Sequence, residues 1–155
     1  DRTADLHRRG LPKEVLTVDN HCDGPYLYLR LTKEGRSEDA VRVMELLRMN
    51  GGNSSGLGIG CVGWDGEVYP DQFLRNHSLG NLRERPFSAI WTDGSKSFLQ
   101  SLRRKSEHVG GRCASCRFLD VCAGNFRARA EAATGDFWGV DPACYLADEE
   151  ISKPE

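Results

Sequence analysis

The chain is 155 residues long and 39% hydrophobic, with 21 basic against 23 acidic side chains and a net charge of -2. A chain of this size buries a sizeable core, removing about 68–70% of its unfolded surface. Neither charge sign collects into a block, which argues against nucleic-acid and anionic-membrane partners, and no run reaches the ~18 consecutive apolar residues of a membrane-spanning helix. Neither a lipidation signal nor a secretory succession is seen, so the expectation is a soluble, cytoplasmic protein.

In chain order, Val15-Leu16-Thr17-Val18 is a short β-branched apolar run that ends in the polar string Asp19-Asn20-His21, and residues 26–31 form a second strand candidate. A helix follows. Ser37 suits its N-cap, Glu38 and Asp39 suit the positive end of its dipole, and Val41, Met44 and Leu47 give an apolar stripe before Asn50-Gly51-Gly52. Strand, polar loop and helix make an α/β unit. In a barrel of such units the residues just after a strand face the mouth, which makes Asp19 and His21 catalytic candidates; loop capping is the plainer role.

Residues 50–60 are rich in glycine and serine and mark a domain boundary. Beyond them, residues 59–64 and 67–69 flank Asp65-Gly66, a dipeptide suited to a type I′ hairpin turn. Residues 87–91 predict one helical turn and 95–105 a longer helix with Phe98, Leu99 and Leu102 inward. Residues 125–133 predict a further helix, stopped by Gly135. Trp64, Trp91 and Trp138 read as core or hairpin packing.

Around the last of these helices lies the main chemical signal, Cys113-x2-Cys116-x5-Cys122-x21-Cys144. Close-spaced pairs with a distant partner bring thiolates to a metal, as iron–sulfur or zinc; a disulfide framework lacks the oxidising compartment it needs. Cys22 and Cys61 are left over and read as small, half-buried hydrophobes.

The order of hairpin, Leu79-Gly80-Asn81, Phe87-Ser88-Ala89-Ile90-Trp91, cysteine knuckle, and Gly135-Asp136 before a last cysteine resembles the SPASM extension of radical S-adenosylmethionine enzymes. The resemblance covers residues 50–150. It implies an α+β fold, with residues 1–50 as the C-terminal strands and helix of a partial (β/α) barrel. Residues 51–155 would be a SPASM domain of β-hairpin, knuckle and short helices around a cluster. That extension usually binds two auxiliary [4Fe-4S] clusters. Here Cys113, Cys116, Cys122 and Cys144 fall on the positions of the outer one, whereas two inner-cluster positions are Asp71 and Phe126. One auxiliary cluster is therefore implied, with Asp71 or Cys61 as the open question at the second.

Tyr69-Pro70-Asp71-Gln72-Phe73, Gly124-Asn125-Phe126-Arg127 and Asp141-Pro142-Ala143-Cys144 are similar to the NirJ family, radical enzymes of haem d1 biosynthesis. That resemblance implies removal of propionate side chains from didecarboxysirohaem. The alternatives are the sister enzyme that strips acetates in the alternative haem pathway, a peptide-modifying maturase, and a structural zinc module. No C-x3-C-x2-C occurs, so the resemblance implies a C-terminal portion, inactive alone, of an enzyme whose missing barrel holds S-adenosylmethionine and a second [4Fe-4S] cluster. The implied partners are a tetrapyrrole and an electron donor or acceptor protein. Four cysteine ligands leave no iron open, so the cluster reads as an electron relay, with a structural role as the alternative. Arg127 and Arg129 are the candidates to clamp substrate carboxylates, and His77 to contact the tetrapyrrole.

Overall fold

A computed structural model describes residues 2–153 except Pro12 and Val15. Its helices are α1 (Arg2–Arg8), α2 (Asp23–Lys33), α3 (Ser37–Asn50), α4 (Phe87–Trp91), α5 (Ser97–Arg103), α6 (Leu119–Cys122), α7 (Arg127–Thr134) and α8 (Asp148–Ile151). Its strands β1 (Cys61–Val62), β2 (Glu67–Tyr69) and β3 (Gly80–Asn81) form one antiparallel sheet in that order. The α+β class holds. Among the described residues no strand precedes Cys61, so no barrel strand is seen where two were expected.

The first expected strand leaves Leu16 and Val18 exposed at 80% and 74%, without regular structure, and its Val15 lies outside the described residues. The second, residues 26–31, is helical and belongs to α2. The alternation of tyrosine and leucine there fits a strand, but its setting favours a helix. Pro25 sits in the first turn, where its missing N–H costs nothing, Asp23 favours the N-terminal dipole, and Arg30 and Lys33 favour the C-terminal one. A helix also brings Tyr28, Leu29 and Leu31 inward while Arg30 reaches Glu34 at 2.8 Å. α3 begins at Ser37 as its first helical residue; the capping position falls to Arg36, which makes no side-chain cap bond. Gly51 closes α3 at φ 70°, a left-handed conformation that glycine adopts without strain. α2 and α3 lie together, with Gly24 leaving room for the Leu47 side chain.

The hairpin is present with a different turn. Gly66 N–H donates to Gly63 O at 3.0 Å, and Gly66 has a positive φ (88°) while Asp65 does not. This is the three-residue loop with a left-handed glycine bulge, not type I′. Its Trp64 stands 91% exposed, so the packing role expected for it is not seen. Trp91 stacks on Phe87 at 5.3 Å, and Trp138 packs beside Phe137 at 4.8 Å. Both of the helices expected near residues 95–105 and 125–133 form, as α5 and α7, the second ending at Gly135 with φ 73°.

Burial divides into three apolar groups. Val68, Leu79, Ile90 and Leu99 join the sheet to α4 and α5, and Leu74, Leu102 and Phe137 join α5 to the loop after α7. The third group holds Cys22, Phe118, Val121, Leu146 and Ile151, with Tyr28, Leu29, Met44 and Leu47 against it. It thus packs α2 and α3 onto the cysteine segment.

Candidate metal centre

The four signature cysteines sit at the ends of short helical turns or in the loops between them. Cys113 ends a 3₁₀ turn opened by Gly111, Cys116 follows in the next loop, Cys122 ends α6, and Cys144 precedes α8. After Cys122 the chain takes three left-handed residues in succession, Ala123 (φ 53°), Gly124 (φ 78°) and Asn125 (φ 65°). Two of these are not glycine. That strain is held by Asn125, which is buried, accepts from His21 N–H at 2.6 Å and donates to Asn20 Oδ1 at 2.8 Å.

These bends bring Cys113, Cys116, Cys122 and Cys144 to the wall of one cavity, completed by the apolar side chains of Pro25, Phe118, Leu119, Leu146 and Ile151. Cys22 is a fifth thiol on that wall and is wholly buried. Sequence reading missed it, since nothing local marks it. One backbone amide turns toward a sulfur, Phe118 N–H donating to Cys116 at 3.4 Å, while the Asn125 amide donates to the Cys122 carbonyl at 3.1 Å. Such N–H···S bonds stabilise thiolate character on ligand sulfurs.

As free thiols the ligands are hard to ionise. Burial pushes Cys113 and Cys116 up, and Cys122 up to about 12. Cys144 goes the other way, because the neighbouring Cys22 thiol donates to it; Cys22 is raised for the same reason. Positive charge from Arg112 favours the thiolates of Cys113, Cys116 and Cys144. Cations that bind thiolates would displace these protons.

Among the described residues no group of three or more His, Cys, Asp or Glu side chains is arranged around a single ion. A cubic cluster asks for something else, since each thiolate takes a separate corner and the sulfurs stand apart around a cavity. Four thiols on one largely apolar wall, with the Phe118 amide aimed at the Cys116 sulfur, fit that donor set.

Asp141, also missed in the sequence, organises the site. Its buried carboxylate accepts from Arg129 Nε and Nη2, both at 2.8 Å, from Phe126 N–H at 2.9 Å and from Ala143 N–H at 3.0 Å. It therefore ties the segment after Cys122 to the one before Cys144. Burial opposes its ionisation, but Arg129 and the amides prevail and hold the carboxyl below its usual range. The Asp141-Pro142 pair, its aspartate three residues before the last cysteine, was the available signal.

The other candidates are placed as follows. Asp19 and His21 line a second, polar pocket with Asp71, Ser55 and Phe126, so the two catalytic candidates and the two altered cluster positions share one cavity. Burial lowers the His21 pKa, against Asp19. Asp71 accepts from the amides of Phe73 (2.7 Å) and Leu74 (2.8 Å) and from Ser55 Oγ, and Phe126 stacks edge-on with Phe73 at 5.0 Å. Cys61 is on β1, apart from both cavities, with Arg75 Nη1 at 4.0 Å.

Arg127 is wholly buried and donates to backbone carbonyls, Arg129 pairs with Asp141 and also donates to Asp19 O at 2.9 Å, and neither guanidinium stands free as a clamp. His77 bonds Glu131 at 2.8 Å and stacks on Phe98 at 4.2 Å, in neither cavity. No helix among the described residues is long and apolar enough to cross a membrane.

Comparison with known proteins places this geometry. The SPASM family, an iron–sulfur cluster-binding domain, matches residues 58–117, a span that includes the hairpin, Cys113 and Cys116. The chain is 60% identical over 154 residues to the Fe-coproporphyrin III synthase of Methanosarcina barkeri, covering 97% of this chain and 38% of that protein. It is 37% identical over 142 residues to the pre-heme d1 synthase of Dinoroseobacter shibae, covering 92% and 35%. Against an AdoMet-dependent heme synthase of M. barkeri it is 33% identical over 121 residues, covering 76% and 33%. The chain spans 33% to 38% of the length of these curated relatives. No solved structure matches it. On these grounds, residues 58–117 match a SPASM iron–sulfur cluster-binding domain, and the chain is similar to part of a group of haem-synthesis proteins that includes AdoMet-dependent ones.

Proposed function

We propose that Cys113, Cys116, Cys122 and Cys144 hold one auxiliary [4Fe-4S] cluster in an enzyme that removes carboxylate side chains from an iron tetrapyrrole. The observation that carries this is the convergence of the four thiols on one apolar cavity. The 60% identity to an Fe-coproporphyrin III synthase, against 37% to a pre-heme d1 synthase, favours acetate loss over propionate loss from didecarboxysirohaem. Propionate loss, on the way to haem d1, remains the second reading, supported by the pre-heme d1 relative.

When bound, such a cluster supplies one-electron transfer at a potential set by its surroundings. The chain's own residues then have defined tasks. The apolar wall excludes water from the sulfurs, the Phe118 amide steadies that of Cys116, and Asp141 fixes the distance between the segments of Cys122 and Cys144. His21, in the adjoining pocket with Asp19, is the group placed to give or take a proton at its imidazole. S-adenosylmethionine and the thiolates of its cleaving cluster would come from another part of the protein, because this chain has no C-x3-C-x2-C. A redox protein would exchange the electron, in the cytoplasm. The division into residues 1–50 and 51–155 is kept as a proposal of origin, not of packing.

The test has two stages. Iron, sulfide and zinc content with an anaerobic absorption spectrum should give about four irons per chain and a broad band near ~400 nm, both lost in Cys116→Ala. A colourless protein with one zinc would instead leave a structural zinc module. The full-length protein, given didecarboxysirohaem, S-adenosylmethionine and dithionite, should then yield a product that has lost acetates. Loss of propionates would transfer the assignment to the haem d1 branch.

A further inference from the structure

Arg127 opens α7 and is fully buried. A guanidinium taken out of water loses its hydration, and proteins normally answer with a carboxylate. Among the described residues Arg127 has none. Its Nη groups donate to the backbone carbonyls of Phe137 (3.1 Å), Gly139 (2.6 Å) and Gly124, and its Nε–H finds no acceptor. Asp141 is already committed to Arg129. Burial pulls the Arg127 pKa down, and the groups opposing this begin with the Cys113 thiol, followed by Asp141 and Cys122.

The place of this charge matters. Gly124, whose carbonyl Arg127 holds, lines the cysteine cavity, and a side chain at Gly124 would stand 3.3 Å from Arg127 Nε. We infer that Arg127 is a buried counter-charge of the cluster on Cys113, Cys116, Cys122 and Cys144, additional to the partly exposed Arg112 on the cavity wall, and that it raises the cluster's reduction potential. This rests on the ligand assignment proposed above. Four thiolates on an oxidised core leave a net negative charge, and one added electron makes it more negative without a bond being made or broken. A fixed cation beside the ligands therefore favours the reduced form. In this role Arg127 acts through its charge on the sulfurs and touches no substrate. The competing role, a brace for three carbonyls, requires its hydrogen bonds and not its charge.

The experiment is a redox titration of the reconstituted chain with dithionite and mediators, for wild type, Arg127→Met and Arg127→Lys. In Arg127→Met the reduced-to-oxidised ratio at a fixed potential should fall about tenfold or more, a midpoint lower by ~59 mV for one electron. Arg127→Lys, which keeps the charge, should stay near wild type. Three equal midpoints, or equal shifts in Met and Lys, overturn the inference. If Arg127→Met does not fold, Arg127→Gln, which removes the charge and keeps a donor for the carbonyls, takes its place in the same titration, and a midpoint equal to wild type overturns the inference. A wild-type chain that binds no iron removes the ligand assignment itself, a result distinct from four irons with an unchanged potential.

Discussion

Lys105 shows how a single buried cation can be read from outside. It is 5% exposed, and its Nζ donates to Asn53 O at 2.6 Å and Ser55 O at 3.0 Å. Burial draws its pKa down from 10.5 to about 8, against the attraction of Asp71. Between these values the unfolded chain holds a proton that the folded chain has released. Stability should therefore rise with pH from about 8 to 10.5, by on the order of 3 kcal/mol, and the penalty should be fully present below that window. Comparing urea midpoints of wild type and Lys105→Met at pH ~7 and ~10 isolates the effect from the thiols, which titrate in both proteins. A difference that does not change with pH would show that Lys105 keeps its ordinary pKa in the fold and stays charged there.

At the scale of elements, the junction between α3 and the cysteine segment depends on one glycine. Gly52 has φ 71°, and a Cβ there would lie 2.5 Å from the carbonyl carbon of Cys122 and 2.6 Å from its oxygen. Backbone cannot swing aside as a side chain can. Gly52→Ala should cost about 2–4 kcal/mol and displace Cys122, lowering both the urea midpoint and the iron retained. Gly94→Ala, which meets nothing within 4 Å, should change stability by less than about 0.5 kcal/mol. If the two variants behave alike, the close approach at Gly52 has no structural weight.

Elements also show what the sequence could reveal. The spacing of Cys113, Cys116 and Cys122 was legible because it is local, and so were α5, α7 and the strands flanking Asp65-Gly66. Residues 26–31 misled because Tyr-Leu alternation suits a strand, while Pro25, the end charges and burial against a distant group suit α2. Cys22, Asn125 and Asp141 were not legible as parts of the site. His21 meets Asn125 across 104 positions, and Cys22 meets Ala143 O across 121 at 3.6 Å. No periodicity reports a contact of that span. The arginines misled in another way: sequence gives their charge but not the carbonyls and carboxylate that occupy Arg127 and Arg129.

For the whole molecule, the three apolar groups do not share the cavity equally. The group around Cys22, Phe118 and Leu146 includes Cys116 and Cys144 and carries α2 and α3 on its outer side. The group of Val68, Leu79, Ile90 and Leu99 contains no cysteine. Because ligand binding energy appears as folding energy where the ligands are held, removing iron should loosen one half selectively. Hydrogen exchange after chelation should speed up in residues 112–126 and 143–146 and in α2 and α3, while β2, α4 and α5 keep their protection. Uniform acceleration would mean that the cluster supports the entire fold, and no acceleration would mean that the wall stands without it.

The long span of these contacts also has a consequence in time. A chain emerging from the ribosome presents Cys22, Cys113, Cys116 and Cys122 while Ala143, Cys144 and Leu146 are still to be made. Until those last residues arrive, Cys22 lacks the Ala143 carbonyl, the cavity lacks its fourth signature thiol and part of its apolar wall, and Asp141 has no Ala143 amide to hold. Closure of the cavity thus follows synthesis of nearly the whole segment instead of accompanying it, and thiols that are to bind a cluster would have to stay reduced through that interval.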